Sequence, residues 1–213
     1  MRITDLTHHI TEAMPVYPGT EPPIIARANT LEKDGFAEAK LTMFSHTGTH
    51  IDAPAHMLPG APTLDELPAE HYVGRAAVLD FSQLGHNGVI TLDELKKEEP
   101  VISACDFVIF KTGWSAYWGR PEYFGAFPVI HADGAQWLTQ FGLKGIGVDA
   151  ISIDPVDTVD YPVHKILLAK NTISIENLTN LDALVERFFT LSVLPLKMVK
   201  ADGSPVRAIA IEY

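Results

Sequence analysis

Long apolar runs, cationic clusters and paired cysteines are all missing from this 213-residue chain, and each absence removes a class of function. No stretch approaches the ~20 consecutive apolar residues of a membrane-spanning helix. The N-terminal MRITDLTHHITEAMP contains no uninterrupted apolar segment of the kind a secretory leader carries, so a cytoplasmic protein is expected. Cys105 is the only cysteine, which excludes an intrachain disulfide and any Cys-rich zinc motif. Ahead of the apolar run FVIF it reads as a structural thiol, packed as a small hydrophobe. Positive charge is sparse: 16 Lys and Arg against 27 Asp and Glu leave a net charge of -11. The densest basic pair, Lys96 and Lys97, is followed at once by Glu98 and Glu99. A chain that neutralises phosphates has the opposite balance, so neither nucleic acid nor an anionic membrane is an expected partner. Where such a chain needs a local cationic centre, a bound metal is the natural source.

What is present fits one soluble domain over residues 1–213, with 46% hydrophobic and 20% charged residues and no repeat or linker-like boundary. Fifteen prolines and fifteen glycines punctuate many short elements. ITDL and IIARANT read as strands, and RAAVLDF and DFVIFKTG as central strands. In FAEAKLTMF, Ala37, Ala39, Leu41 and Met43 alternate with polar residues, the period of a half-buried strand. TLDELKKEE opens with Thr91 and Glu94 in capping-box spacing, HADGAQWLTQFGLKG is helical up to Gly142, and VHKILLAKN is a third short helix leading into the β-branched TISI. RFFTLSVLPLKMV and VRAIAIEY read as a hairpin about a turn in KADGSP. The interleaving predicts a mixed α/β fold with a sheet or barrel core and helices outside.

The densest chemistry lies in SHTGTHIDAPAHM, where His46, His50, Asp52 and His56 fall within eleven residues. Glycine, threonines and Pro54 rule out a stable helix. On a straight strand, four residues advance roughly 13 Å, too far for two imidazoles to reach one ion with bonds of about 2.0–2.1 Å. The segment must therefore bend, at Gly48. Two imidazoles and a carboxylate then make an open site suited to Zn²⁺ or Mn²⁺; the alternative is a polar turn whose histidines bond the backbone. Farther on, His164 starts a helix and Glu176 ends the strand returning from it, an arrangement that can bring both to one edge of the fold. His8, His9, His71, His86 and His131 read as surface or satisfied core residues. The glycines of GIGVDA fall inside a strand, which argues against a dinucleotide fingerprint. GWSAY lacks the second glycine of a serine-hydrolase elbow.

HTGTHIDAPAH resembles the HxGTHxDxPxH signature of the metal-dependent cyclase-like hydrolases, which include bacterial kynurenine formamidase and isatin hydrolase. MPVYPGT, KTGW, GIGVDAISIDP, HKILLAKNTISIENL and LPLKMVKADGSPVRAIA extend the resemblance over most of the chain. It implies a swivelling β/β/α fold around a barrel-like mixed sheet with peripheral helices, in a homodimer or larger assembly. It also implies that His46, His50 and Asp52 bind one divalent ion. Asp52, bridging, would hold a second with His164 and Glu176, and some members use a single manganese. His56 falls at the catalytic acid/base position. Tyr17 stands where the formamidase has a substrate-stacking tryptophan, and Thr20 where it has an aspartate.

The expected reaction is metal-assisted hydrolysis of a small amide, with an N-formyl aryl amine such as N-formylkynurenine as substrate. The cation acidifies water and polarises the carbonyl. His56 carries the proton from the nucleophile to the leaving nitrogen. Tyr17 offers the flat wall an aromatic ring needs; Trp114 offers another, if it does not belong to the core. Ring opening of a cyclic amide such as isatin is the alternative within enzymes, and a non-catalytic metal-stabilised binding module is the alternative outside them.

Overall fold

Apolar segments too short for long helices, and rich in β-branched residues, build the molecule around a sheet. The computed structural model describes residues 1–184 and 187–213. In chain order its strands are β1 (Arg2–Asp5), β2 (Ile24–Asn29), β3 (Glu38–Thr42), β4 (His50–Asp52), β5 (Val73–Asp80), β6 (Val89–Ile90) and β7 (Phe107–Lys111). These are followed by β8 (Val129–Ile130), β9 (Gly145–Val148), β10 (Ile173–Glu176), β11 (Phe189–Ser192), β12 (Gly203–Pro205) and β13 (Ile209–Glu212). The helices are α1 (Leu31–Asp34), α2 (Leu92–Lys97), α3 (Glu99–Ile102), α4 (Ala132–Leu138) and α5 (Pro162–Leu168).

Among the described residues, nine strands form one sheet in the order β1-β13-β11-β5-β7-β9-β10-β4-β12. The middle of it, from β5 through β7 and β9 to β10, is parallel. Both flanks are antiparallel. The sheet curls into a half-barrel, so the expected barrel-like mixed core with peripheral helices is what the chain forms. Buried on both faces, β7 sends Val108 and Phe110 into one apolar core and Phe107 and Ile109 into the other. The first core lies beneath α2–α5, through Leu95, Ile102, Leu138 and Leu167; the second fills the curl, with Ile51, Ile173, Ile175 and Leu191. The glycines of β9 answer to packing. A Cβ on Gly145 would stand 2.8 Å from Ile173 Cγ1, and one on Gly147 2.8 Å from Leu178 Cδ1.

The helical expectations hold. The Thr91 side chain caps α2 while the Glu94 carboxylate accepts from the Thr91 backbone N–H, completing the capping box. The 131–145 segment forms α4, with His131 as its N-cap, then a 3₁₀ turn that stops at Gly142 with φ 65°.

Two expectations need correction. β3 forms and pairs with β2, but every residue of it is exposed: the ribbon stands off the body, so its alternating pattern has no layer to face. Likewise, β11 and β13 pair antiparallel as a hairpin would, yet KADGSP is not its turn. Gly203–Pro205 leave the hairpin as β12 and pair with β4, Gly203 opposite Asp52 and Pro205 opposite His50. A partner strand in need of an edge outweighs the local turn propensity of Asp, Gly and Pro. Cys105 is half-buried against the helix-side core, and burial pushes its thiol up to about 11.

Candidate metal centre

β4 lies between β10 and β12, and the site grows from this three-residue strand. Gly48 takes φ 66°, the bend the spacing requires, and carries the chain from His46 back toward His50. Beyond Asp52, Pro54 opens the 3₁₀ turn Pro54–His56 and returns His56 to the same place. The His46 and His56 rings lie 4.0 Å apart. α5 supplies His164 from its first turn. Asp154 acts as a remote cap there, accepting from the backbone N–H of Val163 and His164 and lying 2.7 Å from His164 Nδ1. β10 supplies Glu176 directly opposite His50.

Asp52, fully buried, is the hub. Its Oδ1 lies 2.6 Å from His46 Nδ1 and 3.3 Å from His50 Nε2; its Oδ2 lies 3.5 Å from His164 Nε2. Glu176 spans the other side, 3.1 Å from His164 Nε2 and 3.5 Å from His50 Nε2. Each imidazole turns its remaining nitrogen outward to an acceptor: His46 Nε2 to Asp202 (3.2 Å), His50 Nδ1 to the Gly48 carbonyl (2.8 Å) and His164 Nδ1 to Asp154 (2.7 Å). With the N–H on the outer nitrogen, a neutral ring directs a lone pair at carboxylate oxygens that also only accept. Acceptors facing acceptors repel unless a cation lies between them. Outer N–H groups anchored on carboxylate or carbonyl are also the arrangement that orients metal-binding histidines. The residues present therefore fit a divalent ion.

Without an ion, the carboxylates draw a proton onto two of these rings instead. Burial pushes the His46 imidazole down, but Asp52 and Asp202 outweigh it and raise the group to about 9. Burial is likewise overcome at His164, which Asp154, Asp52 and Glu176 hold well above its ordinary value. The Asp52 carboxyl, despite burial, is held well below its usual range by His46 and the hydrogen bonds around it. His56 behaves differently: burial brings it below its ordinary value. Among the described residues, nitrogen and oxygen atoms within 4.8 Å of one another form two groups sharing Asp52, one with His46 and His56 and one with His50 and Glu176. Distance alone therefore leaves His56 near enough to ligate.

The centre floors a cavity of about 290 Å³ whose apolar wall includes Pro15, Val16, Tyr17, Met57, Ile151 and Tyr161. Tyr17 donates its hydroxyl to the Val156 carbonyl, and Thr20 hydrogen-bonds back to the Tyr17 carbonyl on the same rim. Trp114 does not reach this wall. It is buried in the helix-side core and donates Nε1 to the Tyr123 carbonyl. His8 stacks on Trp118, and its Nε2 is buried without a hydrogen-bond partner among the described residues. Sequence reasoning missed Asp154, Asn177 and Asp202. Asn177 donates to the Gly48 carbonyl and accepts from the Tyr123 hydroxyl, bracing the bend before His50.

Imidazoles and carboxylates converging on a cavity floor, in a curled mixed sheet, define a metal-binding hydrolase. The chain belongs to the cyclase family: the family model described as putative cyclase matches residues 4–155. Kynurenine formamidase of Bacillus mycoides (strain KBAB4) is 32% identical over 206 residues, covering 96% of this chain and 95% of that protein. Isatin hydrolase A from Ralstonia solanacearum superposes with a TM-score of 0.86 at 28% identity, over 99% of this chain and 92% of that one. The structure of a potential metal-dependent hydrolase with cyclase activity gives 0.78 at 30% identity, over 98% and 96%.

Proposed function

We propose that this protein is a single hydrolase domain that cleaves the C–N bond of a small amide, best of all an N-formyl aryl amine of the N-formylkynurenine type. One observation carries the reading: Asp52 divides its two oxygens between His46 and His50 on one side and His164 on the other, with His56 beside them. A divalent ion held there, Zn²⁺ by the nitrogen-rich ligand set or Mn²⁺, supplies Lewis acidity toward a carbonyl and acidifies water. If two ions were bound, His46, His50 and Asp52 would hold one, and Asp52, His164 and Glu176 the other. The remaining work falls to the chain. Tyr17 and its apolar neighbours bind the ring and exclude water. His56, held below its ordinary value by burial, is a neutral imidazole that accepts a proton from the attacking water and returns it to the leaving nitrogen. An aryl amine leaves more readily than an alkyl amine, which favours the aromatic substrate.

Ring opening of a cyclic amide is the second reading. It is supported by the likeness to isatin hydrolase A and by the aromatic rings of Tyr17 and Tyr161 in the wall. Turnover of N-formylkynurenine and of isatin by the metal-loaded protein separates the two. Failure of both despite stoichiometric metal favours a binding module. His50→Ala is expected to lose metal and activity together; full activity in a metal-free variant would remove the mechanism. The single cysteine fits a reducing cytoplasm, and the exposed β2–β3 ribbon fits a homodimer or larger homo-oligomer.

A further inference from the structure

His46 is the one proposed ligand on neither a strand nor a helix, and its ring lies against Gly203 of β12. An ideal Cβ built on Gly203 would fall 2.5 Å from His46 Cε1, 2.7 Å from Nε2 and 2.9 Å from Nδ1. The imidazole therefore occupies the space a side chain at 203 would fill. The His56 ring also lies against it, with centroids 4.0 Å apart. Gly203 has no left-handed φ, so backbone freedom is not the reason for glycine here. Its neighbour Asp202 holds the ring edge. Oδ2 lies 3.2 Å from His46 Nε2 and 3.8 Å from His56 Nδ1, while the Asp202 carbonyl accepts from Ala53 N–H at 2.8 Å. β12 is in turn fixed by its register, Gly203 opposite Asp52.

We infer that Asp202 and Gly203 are positioning residues for the metal site: Gly203 leaves the slot in which the His46 ring lies, and Asp202 accepts the Nε2–H so that Nδ1 faces Asp52. This rests on the proposed metal reading. A proton on Nε2 leaves the Nδ1 lone pair on the Asp52 side, so the carboxylate selects the tautomer as well as the ring angle. Neither residue touches the reacting atoms. The 155 residues of chain between His46 and the rest of this device explain why local spacing does not disclose it.

The test measures Zn²⁺ content after dialysis and Zn²⁺ affinity by competition with a chromophoric chelator. Gly203→Ala is expected to weaken Zn²⁺ binding at least tenfold, since one methyl pushes the ring out of place. Asp202→Ala should lose about 10–100-fold, the usual range for removing such a partner. Asp202→Asn, whose amide oxygen still accepts from Nε2–H, should recover most of that loss, which a general folding defect would not. A second measurement guards against misfolding: urea midpoints of the metal-free proteins in a double-mutant cycle with His46→Ala. Gly203→Ala should lower the midpoint in the wild-type background and not in the His46→Ala background, where the ring is gone. Wild-type Zn²⁺ affinity in Gly203→Ala, an equal midpoint loss in both backgrounds, or a Gly203→Ala/His46→Ala protein that does not fold would overturn the inference. Absence of Zn²⁺ binding by the wild-type protein would sink the metal reading instead, and the metal-free cycle would still judge the slot.

Discussion

A histidine becomes a ligand or a proton carrier according to what its second nitrogen touches. His46, His50 and His164 each have one nitrogen among carboxylates and the other on an acceptor behind the ring. His56 differs: its closest ionic partner, Asp202, is 3.8 Å away, and burial brings it below its ordinary value. His56→Ala should therefore keep its metal while kcat drops by about 10²–10⁴, the range for a lost general acid–base. Elemental analysis alongside steady-state kinetics decides it, because loss of metal in that variant would make His56 a ligand. At this scale much of the site was legible. His46, His50, Asp52 and His56 sit close in sequence, and His164 and Glu176 stand at element ends that the apolar pattern locates. Asp154 and Asp202 carried no such signal. Each has meaning only through the atom it reaches, ten residues away for His164 and 156 for His46.

Elements were legible where their cause is local. The capping box of α2 and the glycine stop after α4 use atoms within a few residues, and both formed as read. Where a distant partner decides, local pattern misleads. β12 was hidden by turn-forming residues until β4 offered it an edge. The β2–β3 ribbon shows the converse: its strands were legible and its burial was not. It exposes Ile24 at 55%, Phe36 at 53%, Leu41 at 56% and Phe44 at 49%, and an isolated two-stranded ribbon is marginal in water. Contact with a second copy would cover those side chains. In the paired variant Ile24→Glu/Leu41→Glu, light scattering should give the mass of one 23.3 kDa chain where the parent gives a multiple of it. A parent that already runs as one chain would refute the assembly.

For the molecule as a whole, the site is a meeting point of segments far apart in sequence. Residues 46–56, 152–164, 174–177 and 202–203 all converge on Asp52, and among the described residues the carboxylates there are balanced by imidazoles alone. A bound ion should therefore stabilise the fold as well as the site. At a thousandfold excess over Kd, the linkage is about 4 kcal/mol. At roughly 2–4 °C per kcal/mol for a chain of this size, that is about 8–16 °C in Tm. Stripping with chelator and restoring with Zn²⁺ should move the melting temperature down and back by that order; no shift would mean that the folded chain does not bind the ion in preference to the unfolded one.

The place of β4 between β10 and β12 also sets an order of events during synthesis. His50 pairs with Glu176 on one side and Pro205 on the other. A growing polypeptide must thus have made Pro205 before the strand that bears His50 and Asp52 can acquire both neighbours. Until the segment containing Pro205 has cleared the ribosome, β4 lacks the strand that carries Gly203 opposite Asp52, and the pocket in which a cation would be held is unfinished.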